Sequence, residues 1–202
     1  MSRYTGPKCR LCRREGVSLC GKEKCALKRR NYIPGQHGPK GNFAKKSEYG
    51  RQLREKQKLQ RLFGITERQL KNYFEKASKQ KDITGDALLK LLETRFDNVI
   101  FRSGLAKTRA QARQMVNHGL FKLNSKRVTI PSFQVNVGDK FETIDRMKKS
   151  KLFAESEKQK YAPPQWLKVD YKTAGGEVTR KVGTDELEQI IQSALVVEYY
   201  SK

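Results

Sequence analysis

The 202-residue sequence lacks long apolar runs, and it holds only two histidines, one tryptophan and no cysteine after residue 25. A membrane-spanning helix needs about 20 consecutive apolar residues, so no such helix is predicted. The amino terminus also lacks the apolar segment of a secretory signal. We therefore expect the protein to stay in the reducing compartment where it is made.

Acidic residues are scarce, and the excess of basic residues is uneven along the chain. Lys and Arg number 44 against 21 Asp and Glu, a formal net charge of +23. Residues 1–60 carry +13 (17 basic, 4 acidic), residues 61–150 carry +10 (19 basic, 9 acidic), and residues 151–202 are neutral (8 of each). Such a field attracts polyanions, because binding phosphates releases counterions. Nucleic acid is the leading partner, ahead of a membrane surface or a merely solvated charge, since the basic helices lack an apolar face for lipids.

The four cysteines form two short pairs near the amino terminus. Cys9, Cys12, Cys20 and Cys25 are separated by two, seven and four residues, a pattern that can bring four thiolates to one tetrahedral ion. Residues 1–45 contain few apolar side chains, whereas metal binding supplies folding free energy directly. A structural zinc is therefore predicted, with an iron–sulfur cluster, free thiols or a disulfide as alternatives.

Residues 34–41 predict an open loop, because two prolines and three glycines exclude a regular element there. Backbone amides in such a loop can approach phosphates closely. His37 lies in this loop with no nucleophile beside it, so it is interpreted as a hydrogen-bonding contact and not as a catalytic base.

Helical periodicity begins near residue 49. Four cations recur at spacings of three and four residues and predict a basic stripe on a helix that ends at Gly64: Arg51, Arg54, Lys58 and Arg61. Capping boxes are predicted at Thr66 with Gln69 and at Thr108 with Gln111. Further helices are expected after Thr84, over residues 97–104, and from Thr184 to the carboxyl terminus, and Gly119 is placed to cap the helix after Thr108.

Short strands are expected in the second half of the chain. Alternating apolar residues predict strands near residues 120–123, 127–130, 133–137 and 140–144. A further strand is predicted at residues 166–170, with Trp166 packed on the sheet, and Gly175 and Gly176 are expected in a hairpin turn or loop.

One segment resembles a known RNA-binding module. The run from Lys107 to Gly119, followed by Asn124, is similar to the module named after ribosomal protein S-four, which also occurs in pseudouridine synthases, tyrosyl-transfer-RNA synthetases and stress proteins. Other stretches resemble the bacterial S-four family itself: residues 1–12, 34–38, 53–59, 64–69 and 197–202. The resemblance therefore covers essentially the whole chain.

The resemblance implies an α+β fold, in which an α/β RNA-binding domain of helices on a small antiparallel sheet is inserted into a helical domain. A basic zinc-knuckle arm with the Gly/Pro loop is expected at residues 1–45. The helical domain is expected at 46–96, completed by 183–202. The RNA-binding domain is expected at 97–182, with the S-four-type module at about 94–157.

The resemblance also implies a function. Members of the family bind small-subunit ribosomal RNA early in assembly, seat neighbouring proteins including protein S-five, contribute to the channel by which messenger RNA enters, and influence decoding accuracy. A cytoplasmic ribosomal protein, not an enzyme, with no membrane or small-molecule partner is therefore expected. An RNA-modifying or stress-related protein with the same module is the alternative, although only about sixty residues follow residue 145, too few for a catalytic domain. A DNA-binding factor is disfavoured because the cysteine spacing is not that of a histidine-containing finger.

The basic patterns and the resemblance together mark the expected RNA contacts. In the arm and loop these are Arg3, Lys8, Arg10, Arg13, Arg14, Arg29, Arg30, Tyr32, Gln36, His37, Lys40, Lys45 and Lys46. In the helical domain they are the four cations of the basic stripe. In the module they are Lys107, Arg109, Arg113, Asn117, His118, Lys122, Lys126 and Arg127.

Two departures from the family pattern stand out. The seven residues between Cys12 and Cys20 are fewer than the family usually has. Asn124-Ser125 replaces the usual Asn-Gly turn, and because Ser adopts positive φ less readily than Gly, another turn type is expected.

Overall fold

The computed structural model describes residues 4–36, 38–39, 47–148, 150, 153 and 162–201. The chain forms two compact units, one of Met1–Leu89 with Glu188–Lys202 and the other of Lys90–Leu187, so the second unit is inserted in the sequence of the first. Within the described ranges, no helix is long and apolar enough to cross a membrane.

Helices and short antiparallel strands make up the regular structure. The helices are α1 (Lys8–Glu15), α2 (Glu48–Phe63), α3 (Glu67–Ser78), α4 (Thr84–Glu93), α5 (Phe96–Arg102), α6 (Arg109–Asn117), α7 (Asp145–Lys148) and α8 (Ser193–Tyr200). The strands are β1 (Phe121–Leu123), β2 (Lys126–Val128), β3 (Lys140–Thr143), β4 (Leu167–Asp170) and β5 (Gly175–Val178). The predicted α+β class is confirmed.

Local sequence signals set the helix ends in the first unit. Ser47 accepts a hydrogen bond from the backbone N–H of Gly50 and so caps α2, and Gly64 ends that helix with φ 63°. Thr66 and Gln69 form both bonds of the predicted capping box at the start of α3. The predicted end of α2 at Gly64 and the predicted capping box at Thr66 are therefore both confirmed.

The core of the first unit lies where α8 packs on α2. Leu59, Leu62 and Phe63 of α2 are buried, as is Val196 of α8. Gln52, 2% exposed, donates a hydrogen bond to the Glu198 carboxylate. The carboxyl-terminal segment is helical, as predicted, but it forms α8 only from Ser193. Thr184 begins only a single 3₁₀ turn. This turn ends at Leu187, where the backbone is extended (ψ 161°).

The second unit places its helices against a five-stranded antiparallel sheet of order β2-β1-β3-β5-β4. Phe121 pairs with Val128 on one side and with Thr143 on the other. Phe121 also meets Phe96 of α5 edge to face, with ring centroids 6.2 Å apart. Trp166, directly before β4, is 1% exposed, which confirms its predicted place in the core.

Two expectations about the strands of the second unit are wrong. Residues 133–137 form no strand; Gln134 makes one isolated bridge with Arg95, while Phe133 and Val137 are 42% and 50% exposed and so do not follow an alternating pattern of burial. Gly175 and Gly176 lie inside β5, not in a loop. A Cβ atom at these glycines would approach the backbone oxygens of Phe141 and Lys168 to 2.8 and 2.6 Å, so glycine permits close strand contact.

The turn between β1 and β2 keeps the geometry of an Asn-Gly turn despite its serine. Asn124 has φ 47° and Ser125 has φ 67°, the two positive values of a type I′ turn. The expectation of another turn type is therefore wrong. The Asn124 side chain donates to Asp139 at 2.7 Å and accepts from the Lys140 N–H at 3.0 Å, and these bonds hold the turn in place.

Candidate metal centre and nucleic-acid interface

The cysteines converge in the amino-terminal arm. Helix α1 carries Cys9 and Cys12 three residues apart, on one face of the helix. The sulfur atoms of Cys9, Cys20 and Cys25 all lie within 4.8 Å of one another. Cys12 is fully buried, and its sulfur is not part of this group of three. All four side chains are free thiols.

The thiols of this cluster have different pKa values. Burial raises the pKa of Cys12 to about 12. Burial acts in the same direction on Cys25, but hydrogen bonds from the Leu27 backbone and the Ser18 side chain outweigh it and lower the pKa of Cys25 to about 7. The Ala26 backbone lowers the pKa of Cys9, yet burial and the neighbouring Cys20 and Cys25 leave it raised. Repulsion among crowded thiolates is what a bound cation relieves.

The geometry fits a tetrahedral metal ion. Zinc–sulfur bonds of about 2.3 Å hold sulfurs about 3.8 Å apart, so sulfurs within 4.8 Å need only a small contraction. The described part of the arm thus provides a set of sulfur ligands for a soft or borderline divalent metal.

Glu15, which was not predicted as a functional residue, links α1 to α2. Glu15, whose side chain is 1% exposed, forms ion pairs with Arg54, at 3.2 Å, and with Arg61. Burial raises the pKa of Glu15, and the two arginines oppose that rise. Glu15 is one of only four acidic residues among the first 60, and this isolation among cations was the available signal.

These contacts change the meaning of the predicted basic stripe. Arg54 and Arg61 are committed to Glu15, and Lys58 pairs with Glu55 one turn away. Arg51 is the exposed member of the four. Two of the four cations of the stripe, Arg54 and Arg61, therefore hold the arm on α2.

The module cations Arg109 and Arg113 also lie in an internal network. Arg109 donates to the Asn98 side chain at 2.9 Å, and its guanidinium lies 4.5 Å from the centre of the Phe101 ring. Arg113, 8% exposed, lies 3.9 Å from the Asp97 carboxylate. The predicted cap is half formed, since Thr108 accepts from the Gln111 N–H while the Gln111 side chain accepts from Lys107 N–H instead.

Two module residues on the sheet are engaged as well. Lys122 lies 3.5 Å from Asp145 and 3.9 Å from Glu142. Arg127 donates to the backbone oxygens of Gly119 and His118, both at 2.9 Å, and so satisfies carbonyls at the end of α6. His118 is the cap of α6, and the predicted capping glycine, Gly119, follows it with φ 64°.

The remaining predicted contacts fall into four groups. Arg13 donates to the Tyr32 carbonyl at 3.0 Å and lies over its ring, and Lys8 donates to the Tyr4 carbonyl at 3.3 Å. Asn117 is half-buried. The exposed ones are Arg10, Arg14, Arg29, Arg30, Gln36, Lys107, His118 and Lys126. Arg3, His37, Lys40, Lys45 and Lys46 lie outside the described residues.

Comparison with known proteins gives matches over the whole chain. Residues 3–93 match the family described as "Ribosomal protein S4/S9 N-terminal domain", and residues 94–141 match "S4 domain". A "Small ribosomal subunit protein uS4" from Thermodesulfovibrio yellowstonii is 49% identical over 212 residues. Proteins of the same name from Geotalea daltonii and Natranaerobius thermophilus are 49% and 46% identical over 210 and 214 residues. In all three cases the match covers 100% of both chains.

Proposed function

The chain belongs to the ribosomal protein S4 family, and on this premise we propose that it is a structural constituent of the small ribosomal subunit that binds small-subunit ribosomal RNA. It acts in the cytoplasm as part of the ribosome. Family membership also agrees with the prediction that the chain is not an enzyme.

The observation that carries this proposal is similarity along the full length. An RNA-modifying or stress-related protein would share the module alone, whereas relatives named uS4 match all of this chain and are matched over all of theirs. The net charge of +23 is what a protein surrounded by phosphate requires.

The RNA contacts belong, in this proposal, to the exposed members of the predicted set. In the first unit these are Arg10, Arg14, Arg29, Arg30, Gln36 and Arg51, and in the second they are Lys107, His118, Lys126 and Arg127. The arginines that pair with carboxylates contribute indirectly, because they hold the arm and the module in their folded shapes. The arm at 1–45 and the divided domains at 46–96 with 183–202 and at 97–182 remain the proposed functional divisions.

The finer role follows the family. The protein is a primary binder that nucleates assembly of the subunit body, meets neighbouring proteins including protein S5, and contributes to translational accuracy and to the channel by which messenger RNA enters. What supports this is the family resemblance, together with the charge-neutral last quarter of the chain, which suits contacts with protein better than contacts with RNA.

Binding to purified RNA tests the proposal. The full-length protein is titrated into a small-subunit ribosomal RNA transcript and, as control, into a large-subunit transcript of equal length, at several salt concentrations. We expect at least 100-fold tighter binding to the small-subunit RNA near physiological salt, since specific complexes exceed non-specific ones by such factors. Equal affinity for the two transcripts would refute the proposal.

We also propose that the cysteine cluster holds one structural zinc ion, with Cys9, Cys12, Cys20 and Cys25 as ligands. Zinc would supply a fixed point for an arm that has little apolar core of its own. Metal analysis of the purified protein should give about one zinc per chain, and Cys9→Ser with Cys20→Ser should abolish it. Iron with visible absorption would instead identify a cluster.

A further inference from the structure

The outer face of α3 carries a second set of cations that the sequence analysis did not single out. The inner face of this helix is fixed by packing, because Leu70, Tyr73 and Ala77 are buried. The opposite face is exposed, and four basic residues lie on it or at its end: Arg68, Lys71, Lys76 and Lys79. At about 100° per residue they fall within an arc of about 140°.

Charge on this face is not compensated. Among the residues that the structure describes, none of these four side chains is in an ion pair with a carboxylate. Glu67, at the first position of α3, is already engaged by Lys56 at 2.8 Å and by the Tyr200 hydroxyl, also at 2.8 Å. Glu75 is the one acidic residue between Arg68 and Lys79.

The cations of α3 differ from those of α2 in whether they have carboxylate partners. On α2, the cations Arg54, Lys58 and Arg61 each have a carboxylate partner, so part of their charge is already compensated within the protein. On α3, like charges crowd together with only Glu75 among them, and such crowding is unfavourable unless a polyanion neutralises it.

The helix also presents these cations in a fixed arrangement. The capping box of Thr66 and Gln69 sets the first turn, and the eleven steps from Arg68 to Lys79 span about 16 Å at 1.5 Å per residue. Several phosphates along an RNA strand lie within that length, and contacts of this kind read shape and not sequence.

We propose that the outer face of α3 is a phosphate-binding surface for small-subunit ribosomal RNA, in which Arg68, Lys71, Lys76 and Lys79 replace the α2 stripe as the main RNA-facing cations of the helical unit. This inference rests on the proposed function and assigns that function to a surface. It requires the RNA backbone to run along α3.

A charge-matched pair of variants tests the inference. Lys71→Gln/Lys76→Gln/Lys79→Gln removes three cations from α3. Lys168→Gln/Lys172→Gln/Lys181→Gln removes three exposed cations from the charge-neutral last quarter of the chain. Affinity of each full-length variant for the small-subunit RNA transcript is measured across a salt series, and circular dichroism verifies folding.

The α3 variant should bind at least ten-fold more weakly near physiological salt, and the magnitude of its salt slope should fall by about 2, since each phosphate contact contributes up to about 0.9. The control should change by less than about three-fold. Lys71→Arg/Lys76→Arg/Lys79→Arg should retain binding, because charge is what the surface supplies.

The outcomes separate the two proposals. If the unmodified protein binds both RNAs equally, the proposed function and this inference fail together. If it selects small-subunit RNA but the α3 variant keeps its affinity and slope, or weakens no more than the control, only the α3 surface is refuted. Unchanged RNA binding with loss from intact subunits would mean that the face meets an acidic protein instead.

Discussion

At the residue scale, a fully buried carboxylate organises the RNA-binding module. Glu93 has no exposed surface and accepts hydrogen bonds from Asn98 at 2.6 Å and from Arg102 at 2.7 and 2.8 Å. Asn98 in turn accepts from Arg109 at 2.9 Å. Glu93 therefore sets the position of a predicted RNA-contact residue through an intermediate side chain.

Removing the charge of Glu93 should be costly. Glu93→Gln leaves the Arg102 guanidinium without its two-pronged carboxylate partner, and breaking a buried pair in this way costs about 3 kcal/mol. Guanidinium unfolding followed by the fluorescence of Trp166, the single tryptophan, measures this in the second unit. Glu75→Gln, the same change at an exposed site, should change stability by less than about 0.5 kcal/mol. Equal stability of the two variants would contradict this role of Glu93.

The backbone conformation of Ser125 reduces the stability of the second unit, and glycine at this position would remove that strain. Its φ of 67° lies in the left-handed region, where a side chain costs about 1 kcal/mol relative to glycine. Ser125→Gly should therefore stabilise the second unit by about 1 kcal/mol in the same fluorescence assay. Ser125→Ala keeps the strain and should give no gain; stabilisation by both substitutions would mean that the serine side chain, and not the backbone, is responsible.

Residue roles were predictable from sequence only where their partners are near in the chain. The capping box of Thr66 and Gln69 joins residues three apart and could be predicted. The partners of Glu15 lie 39 and 46 residues away, and no local pattern specifies which cation turns inward. The sequence therefore predicted Arg54 and Arg61 as RNA contacts but not their ion pairs with Glu15.

At the element scale, α8 closes the helical unit with aromatic and polar contacts to α2 and α3. Phe74 of α3 packs against Tyr200 with ring centroids 4.8 Å apart. The Lys56 ammonium, buried at 4% exposure, lies 4.6 Å from the centre of the Tyr199 ring. Tyr199 and Tyr200 thus help to complete the packing of the first unit.

Tyr200→Phe tests this closure. Burial, and then the hydrogen bond to Glu67, raises the pKa of Tyr200. Its stabilisation is therefore fully present below the unfolded-state pKa of about 10 and is lost as the pH rises above that value. The variant should be about 1 kcal/mol less stable at pH 7, and the difference should vanish above pH 10.

The helical circular dichroism signal during denaturation provides the measurement for Tyr200→Phe. Tyr4→Phe, at an exposed tyrosine of the arm, serves as control and should match the unmodified protein at every pH. A difference between Tyr200→Phe and the unmodified protein that stays constant from pH 7 to 11 would show that the hydroxyl does not titrate with folding.

Elements were predictable where caps and periodicity agree. Helices α2, α3 and α5 combine apolar periodicity with a clear stop, and the sequence sufficed for them. Residues 133–137 alternate like a strand but lack a neighbouring strand to pair with, apart from the single bridge at Gln134. Pairing depends on residues elsewhere in the chain, so periodicity alone was insufficient.

At the scale of the whole molecule, the cations have two roles. Some form ion pairs that stabilise the fold, and others are exposed and available to a partner. Carboxylates engage five of the cations first expected to face RNA, Arg54, Lys58, Arg61, Arg113 and Lys122. In contrast, α3 and parts of the arm keep exposed cations. The sequence predicted the total charge and its partner class. It did not predict which cations face outward, because that depends on the positions of 21 acidic residues in three dimensions.

The proposed zinc ion would make the arm a metal-dependent part of the molecule. Removing zinc with a chelator should loosen the arm while the second unit keeps its Trp166 unfolding transition, because the described second unit contains no cysteine. Limited proteolysis should then cut within residues 1–45 first. Loss of the Trp166 transition on chelation would show that the arm supports the whole chain.

The central claim is that the protein is an integral part of the small ribosomal subunit, and its copy number tests this most directly. A tagged form is followed by sedimentation of lysate through a salt series, and its amount is measured against small-subunit RNA. The account predicts close to one copy per small subunit, retained in high salt. A substoichiometric amount, or release at moderate salt, would contradict it.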